Sequence, residues 1–143
     1  MEHRPLGNSG LRASVVGLGT WVLGGGSVWG QGLERVFAKD ELRSNGAWNP
    51  SYLTANRRRV LDLLDAWRGL TRRYQCTLAQ LVIAWTATQP GVTHVICGAR
   101  HVEQAKENAA AGNLQLAPEG IQQMRRDVDA LGEPIREEEG VTV

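Results

Sequence analysis

Cysteine is scarce in this sequence: Cys76 and Cys97 stand alone, and no Cys-x-x-Cys pair occurs. A disulfide framework is excluded, no metal site is expected, and two isolated thiols fit a reducing cytoplasm. Long apolar runs are missing too. The longest, Leu81–Trp85, falls far short of the roughly 20 residues that a membrane helix needs. No basic start followed by an apolar stretch opens the chain, so neither a leader peptide nor a membrane partner is expected. Charge of one sign is absent as well: 16 Lys and Arg face 15 Asp and Glu, a formal net charge of +1. That balance favours neither nucleic acid nor an acidic partner. Lysine is limited to Lys39 and Lys106, tyrosine to Tyr52 and Tyr74, and histidine to His3, His94 and His101.

What is present is enough for about one domain, since 143 residues can bury a core without disulfides or metals. Arg4-Pro5-Leu6 and Leu11-Arg12-Ala13 flank Gly7-Asn8-Ser9-Gly10, which predicts a hairpin. Ser14–Gly19 predicts a buried strand. From Gly24 to Asn49 glycines punctuate the chain and no apolar period persists, which predicts loop or short elements. A helix is expected from about Tyr52 to Gln75, with Val60, Leu63, Leu64, Trp67, Leu70 and Tyr74 as its buried stripe. Arg57, Arg58 and Arg59 are consecutive and fan around that helix at roughly 100° per residue, a solvated face and not a nucleic-acid patch.

Thr77 and Gln80 form a capping box for a helix running to about Thr88, stopped by Gln89-Pro90-Gly91. A strand over Thr93–Cys97 and a helix over Val102–Ala111, ending at Gly112, follow. Pro118 opens a last helix with Ile121, Met124, Val128 and Leu131 on one side and Gly132 past its end. The tail beyond is expected to fray. Strands separated by helices imply a parallel α/β fold, with too few strands to close a barrel and edges left open.

The segment Val95–Asn108 carries the most chemistry. A short strand reaches Gly98, Arg100 follows, and a helix opens with Gln104 and Asn108 stacked on one face. A glycine that admits close approach, free N–H groups at a helix start and a planar guanidinium suit an anionic ligand. The same residues also fit an ordinary strand–turn–helix with a solvated arginine, and spacing alone leaves both readings open.

Two blocks resemble the aldo-keto reductase family, in its Tas-like or potassium-channel β-subunit-like branch. The first comprises Arg4–Leu11, Val16–Trp21 and Leu23-Gly24-Gly25, similar to the family's N-terminal hairpin and first barrel strand. The second runs from Gln31-Gly32-Leu33 to Leu131, similar to the region from the seventh strand through the C-terminal helices. Thr77–Leu81, Ala84-Trp85 and Val95–Asn108 are its strongest parts. The resemblance implies a (β/α)8 barrel that uses NADPH to reduce aldehydes and ketones. Such a barrel typically takes about 250 residues, so this chain amounts to a partial one. Residues 1–30 would be hairpin and first strand, 31–132 the C-terminal NADP-binding part, and 133–143 a frayed tail.

After Gly30 the sequence moves directly to the seventh-strand block. The family's catalytic Asp-Thr-Ala/Ser…Tyr-Gly segment, Lys and His have no counterpart, so no catalytic residue is carried over. One side of the cofactor site is. The resemblance implies that Gly98, Ala99 and Arg100 hold the adenosine 2′-phosphate of NADP(H). Gln104 and Asn108 would reach the adenine amino group, with Glu107 nearby. Gly32 and Leu33 would lie along the pyrophosphate, and Thr20 and Trp21 would approach the nicotinamide. Glu34-Arg35-Val36-Phe37 replaces the family's usual Leu-Thr-Gly-Lys there, placing a carboxylate beside the pyrophosphate path. An oxidoreductase unable to act alone is therefore expected, taking a carbonyl substrate only if the barrel is completed. The alternative is a non-catalytic NADP(H)-binding module, or an oligomerisation module pairing through exposed sheet edges.

Overall fold

A computed structural model describes residues 1–19, 54–99 and 101–135. The chain opens with an antiparallel hairpin, β1 (His3–Pro5) and β2 (Arg12–Ser14), in the register Arg4↔Ala13. Gly7 and Gly10 take φ of +54° and +76°, left-handed values that glycine adopts without a Cβ penalty. The chain continues into β3 (Val16–Gly19), which pairs in parallel with β4 (Val95–Gly98). The register Val16↔Val95, Gly17↔Ile96, Leu18↔Cys97 and Gly19↔Gly98 brings both strands to an end together at glycine. The fold is mixed α/β, and no closed barrel forms among the described residues.

The helices differ from the sequence expectation in instructive ways. The single helix expected to Gln75 is two: α1 (Thr54–Ala66) and α2 (Arg68–Tyr74), separated at Trp67 with φ −80° and ψ 2°. Trp67 is buried at 3% exposure, and its indole Nε1 donates to Asp127 Oδ2 at 2.9 Å. That remote anchor accompanies a tightened turn, in which the Trp67 N–H is shared by Leu63 and Leu64. Val60, expected in the buried stripe, is 41% exposed.

Helix α3 (Leu78–Thr86) has the expected capping box: Gln80 N–H donates to Thr77 Oγ1 and Thr77 N–H donates to Gln80 Oε1. Helix α4 (Val102–Ala110) passes into a 3₁₀ turn over Ala111–Asn113, so Gly112 does not end the ordered stretch. Gly112 is buried, and a Cβ there would lie 2.9 Å from Met1 Cγ and 3.2 Å from Val15 Cγ1. Its glycine therefore serves close packing and not termination. Helix α5 (Pro118–Asp129) begins at Pro118 as expected, and Gly132 follows its end with φ +63°.

Two apolar clusters hold these elements. Trp67, Leu70, Leu81 and Met124 form one, joining α1, α2, α3 and α5. Val15, Val16 and Ala87 form the other, with Ile83, Val95 and Cys97 packed against it. Helix α3 thus faces helices on one side and the parallel strands on the other. The strand expected to be buried over Ser14–Gly19 is only half so: Val15 and Val16 are buried, whereas Leu18 is 54% exposed. Among the described residues, no helix is long and apolar enough to cross a membrane.

Candidate functional site

Strand alternation sorts the residues of the parallel pair onto two faces. Val16, Leu18, Val95 and Cys97 share the face turned toward the helices, where Ile83 and Ala87 meet Val16 and Val95. Gly17, Gly19, Ile96 and Gly98 share the other, where Ile96 is 76% exposed. In parallel α/β folds ligands collect at the carboxyl ends of strands. Here that rim is built from Gly19 beside Gly98. A Cβ on Gly98 would meet nothing within 4 Å, so the rim is open above it.

The turn after Gly98 is held from several directions. Ala99 is buried at 7% exposure and fixes the inner side of the turn. Asn108 Nδ2 donates to Gly98 O at 3.1 Å, tying the second turn of α4 back to the strand end. That bond uses the amide nitrogen and leaves the carboxamide oxygen as the acceptor end of the side chain. The N-cap of α4 is His101, extended at φ −148° and ψ 166°, whose Nδ1 accepts the Gln104 N–H at 3.4 Å. Glu103 lies in the first turn, its Oε2 at 3.5 Å from the same imidazole nitrogen. Gln80 Nε2 donates to Glu107 O at 3.2 Å, so the residue that caps α3 also sets α4 against it.

Of the site residues read from the sequence, Gly98, Ala99, Gln104, Glu107 and Asn108 all fall on this strand–turn–helix, and Gly98 and Asn108 meet directly. Arg100, Thr20, Trp21, Gly32 and Leu33 lie outside the described residues. Sequence reading missed His101 as the cap, although its place just before the helix is where a cap stands. It found Gln80 as a helix cap but missed its bond to Glu107 O, 27 residues away, which leaves no local signal. Beneath the turn, between β3 and α4, is a cavity of about 170 Å³ lined largely by apolar groups, including Val16, Leu18, Cys97, Ala105 and Ala109.

Among the described residues, neither Tyr74 nor His94 reaches the rim. Tyr74 Oη accepts the Ala117 N–H at 3.2 Å, a structural role in the helical cluster. His94 precedes β4, at the end of the strand opposite Gly98, with Nδ1 on Ser14 O at 3.1 Å. Burial raises the Cys97 thiol, so that it is not an activated thiolate. Among the described residues no three His, Cys, Asp or Glu side chains gather to hold a metal.

Residues 20–127 match the family model for the aldo/keto reductase family. The chain is similar to an NADH-specific methylglyoxal reductase of Escherichia coli (strain K12), 33% identical over 99 residues, covering 69% of this chain and 29% of that protein. An aldo-keto reductase of Gibberella moniliformis is 33% identical over 93 residues, 65% of this chain and 27% of its own length. An oxidoreductase of Mycobacterium tuberculosis is 38% identical over 71 residues, 50% of this chain and 22% of that one. The matched stretches thus span less than a third of each of these relatives. No solved structure matches the chain at a significant level.

Proposed function

The chain belongs to the aldo/keto reductase family of oxidoreductases, which use a nicotinamide cofactor, and from that premise we propose that the β4–α4 turn holds the nucleotide end of NADP(H). The observation that carries this reading is the braced rim: two parallel strands ending together at Gly19 and Gly98, with Asn108 fastening Gly98 to α4. The residues fit such a group. Gly98 has open space above it, and the start of α4 presents main-chain N–H groups and the positive end of the helix dipole, although His101 already accepts the Gln104 N–H. Arg100 would clamp the 2′-phosphate as a planar fork, and the Asn108 and Gln104 amides would meet the adenine amino group, with Glu107 beside them. Ala99 fixes the turn from within. Gly32 and Leu33 are assigned to the pyrophosphate and Thr20 and Trp21 to the nicotinamide end.

The cofactor, when bound, supplies a hydride to a carbonyl carbon. A reductase must also deliver a proton from a positioned acid. No Asp-Thr-Ala/Ser motif stands in this sequence, and the described Tyr74 and His94 are engaged elsewhere. We therefore assign this chain cofactor binding without carbonyl reduction of its own, with a carbonyl substrate taken only where further strands complete the barrel. Tryptophan fluorescence on adding NADPH tests the assignment. Half a site supports a Kd between about 1 μM and 1 mM, with NADPH bound more tightly than NADH. Absence of binding at millimolar NADPH would remove the reading, and NADPH oxidation with an aldehyde panel at ordinary enzyme rates would remove the inactivity.

A second reading, pairing of two copies, is favoured by one observation. A two-stranded parallel sheet with Ile96 76% exposed is an arrangement that proteins ordinarily cover on both faces. Size-exclusion chromatography at micromolar concentration checks it, and a clean monomer counts against it.

A further inference from the structure

We propose that His94 is a pH-sensitive latch for the hairpin: its neutral ring fastens β2 to the start of β4, and protonation at Nε2 releases the hairpin while the helices stay folded. His94 stands where the two sheets meet and is half-buried. Its Nδ1 lies 3.1 Å from Ser14 O, and a carbonyl oxygen only accepts, so the ring proton is on Nδ1. Nε2 of the neutral ring then carries a lone pair and no proton. That atom is buried and meets no hydrogen-bond partner among the described residues. An unpaired acceptor there costs some desolvation, and a charged N–H left unpaired there costs far more. The bond secures a hinge. Val15, between β2 and β3, donates its N–H to Glu2 O and accepts the Val95 N–H at 2.8 Å, so His94 and Val95 supply consecutive links from β4 to the hairpin side.

No counter-charge is at hand for a protonated ring. Helix α3, residues 87–93 after it, and strands β3 and β4 contain no Asp, Glu, Lys or Arg. Cys97 is their one ionisable group, and burial keeps its thiol neutral. On α5, Arg125 bonds Gln89 and pairs with Asp129. The hairpin side brings Glu2, His3, Arg4 and Arg12. Glu2 is the one carboxylate among these, and Arg4 takes both of its oxygens, at 2.8 and 3.3 Å. Arg4 also lies 3.4 Å from the carbonyl of Thr93, the residue before His94, so a cation already occupies that side. An opened hairpin leaves the ring in water, where imidazole takes up its proton near pH 6.5, whereas the closed form offers Nε2 no place for one. Acid therefore favours opening, by about tenfold between about pH 7.5 and about pH 5.5. Glu2 does not share in this, because the Arg4 guanidinium holds its carboxyl below the ordinary range and keeps it ionised throughout.

The test is hydrogen exchange of the full chain across that pH range, corrected for the intrinsic effect of pH on exchange. Opening of residues 3–14 is expected to rise about tenfold toward acid, while residues 78–86 stay within about twofold. His94→Asn places an amide N–H where Nδ1 stands and removes the titrating nitrogen, and it should abolish the pH dependence. His3→Gln, which alters the neighbouring histidine of β1, should leave it intact. A flat profile in the unaltered chain overturns the proposal, and so does an equal rise in residues 78–86, which would mean that acid loosens the whole molecule. A rise that persists in His94→Asn, or that disappears in His3→Gln, overturns it as well. The profile of the unaltered chain decides the matter even where a variant fails to fold.

Discussion

Cys97 sits on the helix-facing side of β4, packed against the cluster of Val15, Val16 and Ala87. Burial raises its thiol above the ordinary value, and does the same for Cys76 beside the helical cluster. Both are acids whose neutral form the fold prefers. Their contribution to stability is fully present below the unfolded thiol value, near 8.5, and is lost as pH climbs through the raised folded values. The urea midpoint should therefore fall on the alkaline side of about pH 8.5, by less in Cys97→Ala. Iodoacetamide should label the native chain at pH 8 more slowly than it labels the chain in urea. Equal rates in the two states would contradict the assigned burial. At the same scale, Gly98 is a residue whose value lies in the open space where a side chain would stand.

At the scale of elements, the Gln80 side chain links α3 to α4. Thr77→Ala removes half of a capping box and should cost about 1 kcal/mol. Gln80→Ala removes the other half and also the bond to Glu107 O. It should therefore cost more, and of the two variants it alone should speed hydrogen exchange in residues 102–110, because Gln80 reaches across to α4 and Thr77 bonds within the cap. Equal exchange in the two variants would contradict that. The Thr77–Gln80 box, the Pro118 start, the Gly7–Gly10 turn and Gly132 were legible in the sequence because each signal spans only a few residues. The division at Trp67 was not, since its partner Asp127 is 60 residues away. Nor was the passage through Gly112, which answers to Met1 and Val15 and not to its neighbours in the chain. The site was legible to the same degree. Gly98 and Asn108 stood out as types at a spacing, but the bond between them depends on how α4 folds back, and His101 became a cap only through its backbone angles.

At the scale of the molecule, the hairpin is held to the rest by the Glu2 N–H on Gly112 O, by His94 on Ser14 O and by the cation Arg4. Arg4 Nη1 donates to Ala87 O at 2.8 Å and lies 3.4 Å from both Val92 O and Thr93 O, while Nε meets Glu2 at 2.8 Å. Ala87 caps the C-terminal end of α3, the end where a helix favours positive charge. Charge-assisted bonds of this kind are worth about 1.5–3 kcal/mol. Arg4→Ala should lower the unfolding free energy by that order and reduce hydrogen-exchange protection in residues 3–14 before the helices open. Simultaneous loss everywhere would show that the hairpin does not undock by itself.

The stretch after α5, as far as Ile135, is fastened by a different device. Glu133 and Ile135 fall in the stretch expected to fray. Asn56, 4% exposed, donates from Nδ2 to Ile135 O at 2.7 Å and accepts the Ile135 N–H on Oδ1 at 2.9 Å. Arg59 adds bonds to Leu131 O and Glu133 O. Every one of these contacts reads main chain, with the carboxamide of Asn56 standing in for a neighbouring peptide group. The spelling of the segment is therefore immaterial to its seating at 135, proline excepted because it lacks the N–H. Spacing is not. Drift can replace Ile135 with almost any other residue and keep the clasp closed, whereas adding or dropping one residue between Gly132 and Ile135 shifts the frame and opens it.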